Sequence, residues 1–464
     1  MKQIFHLTMA TIAMFIFTIS CNQTSDTKEN QNKNDSLERI NFKKQVPDWT
    51  KNLNIYEVNL RQFTESGKLV DFEKHLPRLK EMGVDILWFM PINPIGIKNR
   101  KGSLGSYYSV KDFKGFNPEF GTIDEWKNLV KKIHENKMYV IIDWVANHAS
   151  WDNVMMTEHP EWFTKDSTGN IIPPVPDWKD VADLNYENKE LWKYMIDAMA
   201  FWLKETDIDG FRCDVAGMVP IEFWNEARFQ LDKVKPGFML AEDEGFIMHE
   251  KAFDMTYSWE FHHLCADIAK GKKKVFELDS LFAREKKKFP ADAYRMVFTS
   301  NHDENSWNGT SYEKFGDALN AFTAFCYIVP GMPLIYSGQE AGLNKRLKFF
   351  DKDPIEWKEH EFAKLYKKLN ALKKENHALW NGAYGGELVK IKSSFDESIF
   401  AFKRIKENNE ILCIFNFSKE KKIVNIPGGE IDGKYFDVFS DTEITLTKNY
   451  KFEMNPWGFY IFKK

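Results

Sequence analysis

Residues 209–216 read Asp209-Gly210-Phe211-Arg212-Cys213-Asp214-Val215-Ala216, and they place an arginine and a carboxylate at the end of a short apolar run. Burying such groups costs free energy unless partners or chemistry compensate. A buried Arg–Asp pair is also a common structural device. Other segments of the sequence must therefore decide whether this pair is structural or functional.

Further segments share this design, in which an apolar run ends in polar side chains. They are residues 139–148 with Asp143, Asn147 and His148, residues 238–242 with Glu242, and residues 296–303 with His302 and Asp303. Runs of Val, Ile, Leu, Met and Phe are typical of strands buried on both faces. The polar groups always follow the run, so parallel strands would bring them to one edge.

The pattern of strands and helices predicts the fold class. Candidate strands are 55–58, 84–90, 139–144, 208–214, 238–242, 253–257, 296–300 and 334–337. Segments with helical apolar spacing separate most of them, and this alternation predicts an α/β fold with a parallel sheet and right-handed crossovers. Eight units favour a closed (β/α)8 TIM barrel with its site at the C-terminal mouth of the strands. An open doubly wound sheet is the alternative.

The polar strand ends resemble the four signature regions of the α-amylase family, glycoside hydrolase family 13. The order and the barrel-unit spacing of the regions agree with that family. Residues 181–185 are similar to its fifth region, and residues 331–340 look like its eighth strand. Tyr108, four residues before Asp112-Phe113, matches a further family feature. The resemblance covers nearly the whole chain after the N-terminal segment.

The family's chemistry is retaining glycoside hydrolysis, which needs a nucleophilic carboxylate and a protonated carboxylic acid. The resemblance implies that Asp214 is the nucleophile and Glu242 the acid/base. Arg212 shares the face of Asp214 because side chains alternate along a strand, and its guanidinium is expected to keep Asp214 ionised and oriented. Asp143 is expected to anchor Arg212 from the neighbouring strand.

The remaining sugar contacts are also implied by the resemblance. Asp303 would grip sugar hydroxyls and favour the oxocarbenium-like transition state. His148 and His302 would hydrogen-bond the same sugar, and Tyr108 would stack on its apolar face. The structural alternatives are two satisfied histidines and a packed loop aromatic.

Residues 149–184 resemble the small B domain that the family inserts after the third strand. Trp151, Trp162 and Trp178 are candidate sugar platforms within it, and packing of the insert is the alternative for one or two of them. In many family members a calcium ion joins the insert to the barrel. The resemblance implies that Asn147 and Asp183 are the residues that would bind this ion here.

Two departures from the family pattern affect this site. Gly217-Met218 replaces a common Lys-His pair, so the sequence is compatible with both presence and absence of Ca²⁺. Glu242 is followed by Asp243 and Glu244 instead of apolar residues. These acids either raise the local proton affinity or face a solvated loop, and the second interpretation is preferred.

After Ala378 the sequence changes to short alternating segments with turns, which predict a C-terminal antiparallel β-sandwich. The expected organisation is a lipoprotein-type signal peptide at 1–20, a flexible tether at 21–46, the catalytic barrel at 47–148 and 185–380, the inserted B domain at 149–184, and the C-terminal β domain at 381–464.

The N-terminal sequence predicts a targeting signal. Lys2 precedes an apolar stretch, residues 7–19, that is too short to span a membrane and suits a signal peptide. Ser20-Cys21 resembles a bacterial lipoprotein cleavage site, although Thr18 replaces the usual Leu. A lipid on Cys21 would anchor the enzyme to a membrane outside the cytoplasm, at the periplasmic face or the cell surface. The remaining cysteines are expected to be buried free thiols.

Composition is consistent with a large enzyme: 464 residues, 43% apolar and 15% aromatic. A net charge of −4 argues against nucleic acid as a partner. The resemblance to the α-amylase family implies hydrolysis of α-1,4-glucosidic bonds in starch, maltodextrins or maltooligosaccharides through a covalent glycosyl-enzyme. Alternatives are an oligosaccharide α-glucosidase, a transglycosylase on the same machinery, or a catalytically inactive glycan-binding protein. The presence of Asp214, Glu242 and Asp303 together argues against the last.

Overall fold

A computed structural model describes residues 38–464, and within them eight parallel strands close into a barrel. The strands are Ile55–Val58, Ile86–Phe89, Tyr139–Trp144, Gly210–Cys213, Phe238–Ala241, Met255–Tyr257, Tyr294–Val297 and Met332–Tyr336. Each pairs with the next along the chain, and the eighth closes on the first through Ile55 and Leu334. The predicted TIM barrel is therefore confirmed.

The apolar runs become strands because both of their faces are buried. Ile55, Ile86 and Met296 point into a core inside the barrel. Alternate residues such as Tyr56 and Leu87 point outward into the larger core beneath the helices. This arrangement explains why the strand sequences are continuously apolar instead of alternating.

Helices surround the barrel, and most of the longer ones bury one face. The helix Ile123–Glu135 begins at Thr122, whose side chain and Glu125 form a capping box, and it buries Trp126 and Ile133. The α-helices of the described chain are Leu60–Phe63, Leu69–Glu73, Leu76–Met82, Ile123–Glu135, Met155–Glu158, Lys189–Thr206, Ile221–Asp232, Met248–Lys251, Trp259–Ala269, Glu277–Lys288, Ser311–Phe315, Leu319–Ile328 and Glu361–Glu375.

Short helical turns lie in the segments between the strands and the longer helices. A π-helical turn, Glu304–Asn308, follows the seventh strand. The 3-10 turns are Asp48–Thr50, Pro160–Trp162, Ala216–Met218, Gly316–Ala318, Gln339–Ala341, His377–Leu379 and Gly382–Tyr384.

The insert after the third strand begins and ends in a small antiparallel ladder. Its strands are His148–Ser150 and Val181–Asp183, and His148 pairs with Asp183. The ladder brings the two ends of the insert together at the mouth of the barrel. Residues between these strands contain Met155–Glu158 and one 3-10 turn but are otherwise irregular.

The C-terminal region is an antiparallel β domain, as predicted. Its larger sheet has the spatial order Leu388–Ile391, Ile399–Lys406, Asn409–Asn416, Phe459–Lys463, Gly433–Asp437 and Thr442–Leu446. A second sheet pairs Lys422–Asn425 with Lys451–Met454. Ile399 and Leu412 contribute to a core between the strands, while Phe400 and Phe415 face the barrel helix that carries Phe325.

Contacts divide the chain into two units, residues 1–45 and 46–464. Of the first unit the structure describes residues 38–45, in which 38–41 form one helical turn. The predicted signal peptide and Cys21 lie outside the described residues. Among residues 38–464 no helix is long and apolar enough to cross a membrane. The described cysteines Cys213, Cys265, Cys326 and Cys413 are buried free thiols, as predicted.

Candidate active site

The guanidinium of Arg212 organises the polar ends of the barrel strands. Its Nη1 lies 2.9 Å from Asp143 Oδ1 and 3.0 Å from Asp214 Oδ1. Its Nη2 lies 2.7 Å from Glu242 Oε2, and its Nε donates to Tyr257 Oη at 3.1 Å. The structure thus brings together Asp214 and Glu242, the predicted nucleophile and acid/base, with Asp143 anchoring Arg212 as expected.

The register of the barrel strands explains this convergence. Asp143 and Arg212 are direct partners on the third and fourth strands. Backbone bonds continue past the strand ends, since the Asp214 amide donates to Trp144 O and the Glu242 amide donates to Cys213 O, both at 3.0 Å. The amide of Val215 donates to Glu242 Oε2 at 2.8 Å and fixes that carboxylate.

The predicted histidines flank the cluster. His302 Nε2 lies 2.8 Å from Tyr108 Oη and 3.3 Å from Asp303 Oδ2, and its Nδ1 contacts Glu57 Oε1. His148 Nε2 lies 4.0 Å from Asp214 Oδ2. Both imidazoles are therefore beside a predicted catalytic carboxylate.

Tyr108 is buried at the centre of the mouth. Its hydroxyl donates to Asp143 Oδ2 at 3.0 Å, and its ring stacks beside His302 with centroids 5.5 Å apart. Phe349 stacks beside Tyr108 at 6.1 Å. The side chain still lines the cavity, so it borders the space where the predicted sugar would lie.

Burial and crowding of like charges change the proton affinity of the carboxylates. Burial raises the pKa of Asp214 well above its usual range, with Glu242, Asp143 and Asp303 adding to the rise and Arg212 opposing it. Burial likewise raises the pKa of Asp143 to about 6 against the effect of Arg212. Arg212 therefore orients Asp214 and opposes the rise of its pKa, but burial and the neighbouring carboxylates outweigh that effect, in contrast to the expectation from the Arg–Asp pair alone.

The two histidines differ in charge. Burial disfavours the imidazolium of His302, but Asp303 and Glu57 outweigh it and raise the pKa to about 9. Burial lowers the pKa of His148 to about 4. At neutral pH, His302 is a cation with two donor N–H groups, and His148 is neutral.

A cavity of about 570 Å³ opens above the cluster. Its lining includes Tyr108, His148, Asp214, Val215, Glu242 and Asp303, joined by Lys101, Ser106, Asp177, Trp178, Asp180, Val181, Trp307, Phe349 and Phe350. Of the candidate tryptophans, Trp178 lines this cavity. Trp162 stacks on His159, and Trp151 donates to Lys179 O, so both pack the insert.

Asn147 and Asp183, the predicted calcium residues, are close in the insert ladder. The amide of Leu184 donates to Asn147 O, and Asp183 pairs with His148. Burial raises the pKa of Asp183 although the Thr164 hydroxyl lowers it, and no cation among the described residues contributes to the shift. An amide and a carboxylate suit a hard cation in kind but supply few of the six to eight oxygens that Ca²⁺ takes. In the described chain no group of three or more His, Cys, Asp or Glu side chains forms a metal site.

The departures from the family pattern are neighbours in space. A Cβ placed on Gly217 would overlap the Asp243 carboxylate, so the glycine leaves room for that acid. Met218 is exposed beside them. Glu244 Oε1 lies 3.2 Å from Arg295 Nη2, so this acid is held in an ion pair instead of facing solvent freely.

Sequence reasoning missed several contributors. Glu57 is a buried acid inside the otherwise apolar first strand, and that contrast was the available signal. Tyr257 ends the sixth strand beside Arg212. Lys101, Trp307, Phe349 and Phe350 come from loops without periodic pattern, and the sequence offered no comparable signal for them.

A parallel barrel with paired carboxylates at its C-terminal mouth is the architecture of a glycoside hydrolase. Residues 15–173 and 175–378 match the family described as Alpha amylase, catalytic domain, and residues 391–461 match Maltogenic Amylase, C-terminal domain. The chain therefore belongs to the α-amylase family and is an α-amylase-type glycoside hydrolase.

Solved structures similar to this chain support the assignment. An α-amylase from Lactobacillus plantarum is 31% identical with a TM-score of 0.80, covering 89% of this chain and 99% of that one. A noncanonic maltogenic α-amylase from Thermotoga neapolitana is 34% identical with a TM-score of 0.78, covering 89% and 96%.

Curated relatives are more distant. A cyclomaltodextrinase from Thermoanaerobacter pseudethanolicus is 25% identical, covering 90% of this chain and 78% of its own. The α-amylase MalA of Haloarcula japonica is 25% identical over 87% of this chain, which spans 61% of that protein's length. Both relatives align with most of this chain, at lower identity than the two solved structures.

Proposed function

We propose that the enzyme hydrolyses α-1,4-glucosidic bonds in maltodextrins and maltooligosaccharides with retention, through a covalent intermediate on Asp214. The observation that carries the proposal is the contact of Arg212 with both Asp214 and Glu242 at the mouth of the barrel. A nucleophile and an acid/base on adjacent strands are the two groups that retaining hydrolysis requires.

In the first step an Asp214 oxygen bonds to the anomeric carbon as the glycosidic C–O bond breaks. Glu242 gives its proton to the leaving oxygen, so the leaving sugar departs as an alcohol. In the second step Glu242 takes a proton from water, whose oxygen replaces Asp214 on the anomeric carbon. Asp303 and the His302 cation would hydrogen-bond hydroxyls of the same sugar and stabilise its planar, positively charged transition state.

The test is a time course of products from soluble starch and maltohexaose, with proton NMR of the first anomer released. We expect α-anomeric maltooligosaccharides, and at least a 10³-fold loss of rate in Glu242→Gln, which keeps the shape of the side chain. β-Anomeric products would refute retention. A fully active Glu242→Gln would refute the acid/base role, and products longer than the substrate would identify transfer.

Calcium at Asn147 and Asp183 is a separate proposal, supported by their adjacency and by the uncompensated charge of Asp183. We expect Ca²⁺ to raise the thermal midpoint of chelator-treated wild type and to have no such effect on Asp183→Asn. Equal midpoints with and without Ca²⁺ would remove the proposal.

Membrane anchorage through a lipid on Cys21 also remains a proposal, supported by Lys2, the apolar stretch 7–19 and Ser20-Cys21. Expression of the full chain in a bacterium with labelled fatty acid provides the test. Wild type should incorporate label and sediment with membranes outside the cytoplasm, whereas Cys21→Ser should not. Equal distribution of the two proteins would contradict it.

A further inference from the structure

The loop of residues 96–105, which follows the second barrel strand, touches two other loops at once. On one side Lys101 Nζ lies 2.8 Å from Asp180 Oδ1 and donates to Asp177 O at 3.2 Å, both in the insert. On the other side the Leu104 amide donates to Phe350 O at 2.9 Å, in the loop after the eighth strand. The 96–105 loop therefore bridges the insert and the loop after the eighth strand.

The bridge is closely packed. Gly102 has a φ of +62°, and a Cβ at this position would overlap Phe350 Cβ, so a glycine lets the loop lie this close to residue 350. The Ser103 amide donates to Asp351 Oδ1 at 2.9 Å. Asp180 is buried, and an ion pair to a buried carboxylate is held more firmly than one in open solvent.

The order of strands determines which half of the cleft this bridge borders. Glu242 follows the fifth strand, and in a closed barrel of eight strands the fifth lies opposite the first, whose neighbours are the second and eighth. Because the acid protonates the leaving oxygen, the leaving sugar lies on the side of Glu242. The sugars that stay bound to Asp214 extend toward the second and eighth strands, where Lys101 and Phe350 line the cavity.

We propose that Lys101, with Asp180 and Phe350, ends the non-reducing half of the cleft. The enzyme then attacks α-glucans close to their non-reducing ends and releases short products, instead of cutting long chains at interior bonds. The inference rests on the proposed hydrolysis of α-1,4-glucans and specifies its mode of action. Lys101 acts here as a specificity-determining residue and has no part in bond cleavage.

The experiment compares two substrates in wild type, Lys101→Ala and the matched control Lys98→Ala. Lys98 is an exposed lysine of the same loop that does not line the cavity. Dye release from cross-linked amylose measures interior cleavage, and hydrolysis of maltoheptaose labelled at its reducing end reports the bond that is cut.

Wild type and Lys98→Ala should cut labelled maltoheptaose near the non-reducing end and release little dye. Lys101→Ala should raise the ratio of dye release to maltoheptaose hydrolysis at least fivefold and move the cut toward the reducing end. Lys101→Met, which keeps most of the stem but cannot pair with Asp180, should fall between them.

Each outcome decides the inference. A wild type that cuts interior bonds freely overturns it while leaving the proposed hydrolysis intact. A folded Lys101→Ala with the wild-type product pattern removes the role of Lys101. A wild type that hydrolyses no α-glucan overturns both proposals. When the wild type cuts interior bonds, by contrast, hydrolysis is present and is lost in Glu242→Gln, so the two cases are distinguishable.

Discussion

Asp214, the proposed nucleophile, lies in an environment that disfavours its negative charge. Burial and the carboxylates of Glu242, Asp143 and Asp303 raise its pKa although Arg212 is 3.0 Å away. A raised pKa means that the folded state holds the proton more tightly than the unfolded state, so ionisation of Asp214 destabilises the fold. Such a conflict between stability and charge is typical of functional sites.

Replacing Asp214 with Asn should therefore separate activity from stability. Turnover should fall at least 10³-fold, while the free energy of unfolding at pH 7 should rise by about 1 kcal/mol. The gain should vanish below the ordinary carboxyl pKa, where wild type is already protonated. Thermal unfolding between about pH 3 and pH 8 measures this, since the range then extends below the ordinary carboxyl pKa.

Asp254→Asn is the contrasting control, because Arg228 Nη1 lies 2.9 Å from Asp254 and the Met239 amide also donates to it. This substitution should lower stability. A loss of stability in Asp214→Asn at pH 7 would contradict the proposed balance of charges.

Glu57 should control the protonation of His302. Because Asp303 and Glu57 raise the His302 pKa to about 9 against burial and Arg212, the cation contributes stability below its unfolded pKa and loses it as the pH passes 9. In Glu57→Gln the His302 pKa should fall, and the alkaline limb of kcat/KM should shift about 1–2 pH units lower. Activity at pH 5.5 should change little.

The control for this prediction is Glu340→Gln. Glu340 is a buried acid beyond the eighth strand that is bound to Tyr56 and Arg78, not to His302. An unchanged alkaline limb in Glu57→Gln, or an equal shift in Glu340→Gln, would refute control by Glu57.

At the scale of elements, Gly210 allows the fourth and fifth strands to approach. A Cβ at Gly210 would overlap the Phe238 backbone, and its φ of +152° is unusual for other residues. Gly210→Ala should lower the free energy of unfolding by about 2–3 kcal/mol and disturb Arg212 two residues later. Urea unfolding and kcat measure both effects.

Gly169→Ala is the matched control for backbone strain. Gly169 has a φ of +89°, and a Cβ there meets nothing within 4 Å. Gly169→Ala should lower the free energy of unfolding by about 1 kcal/mol. Equal costs at the two positions would mean that the approach of Phe238 is unimportant.

Buried strands were predictable because their composition is extreme, and two of them, Ile55–Val58 and Tyr139–Trp144, agree with the predicted ends. The seventh strand was placed too late, at 296–300. It runs Tyr294–Val297, because Arg295 is accommodated by Glu244 and Glu285 and therefore hides the apolar pattern.

Apolar residues at helical spacing from Phe72 to Met82 predict one continuous helix, but the structure divides this region into Leu69–Glu73 and Leu76–Met82. Apolar spacing continues across the break, so periodicity could not reveal it. Site residues at strand ends were predictable because they directly follow runs of extreme apolar composition. Those on long loops, such as Phe349 and Lys101, depend on contacts between distant segments that a local pattern does not encode.

At the scale of the whole unit 46–464, Arg404 joins the C-terminal domain to the barrel. The side chain is buried, and its Nη1 donates to Ile328 O at 2.8 Å and Val329 O at 2.9 Å, at the end of the last barrel helix before the eighth strand. Its Nε donates to Gly386 O at 2.8 Å. A cation at a helix C-terminus is favourable because it complements the terminal carbonyl groups.

Arg404→Met should leave these buried carbonyls without donors and lower the free energy of unfolding by about 3 kcal/mol. Scanning calorimetry should then show two transitions in place of one, with kcat at 25 °C nearly unchanged. Lys403→Met is the control, since Lys403 pairs with Glu410 on the other side of the strand. A single transition at the wild-type midpoint would contradict the joining role of Arg404.

The ladder between His148 and Asp183 has a consequence for the evolution and engineering of this enzyme. Because the insert leaves and rejoins the barrel across a single hydrogen-bonded pair of strands, its ends are spaced like those of a hairpin, whatever lies between them. We therefore expect that inserts of different length can be exchanged at this ladder without altering the register of the eight strands. The ladder thus makes the insert an exchangeable cassette, through which substrate preference can diverge while the catalytic carboxylates stay where they are.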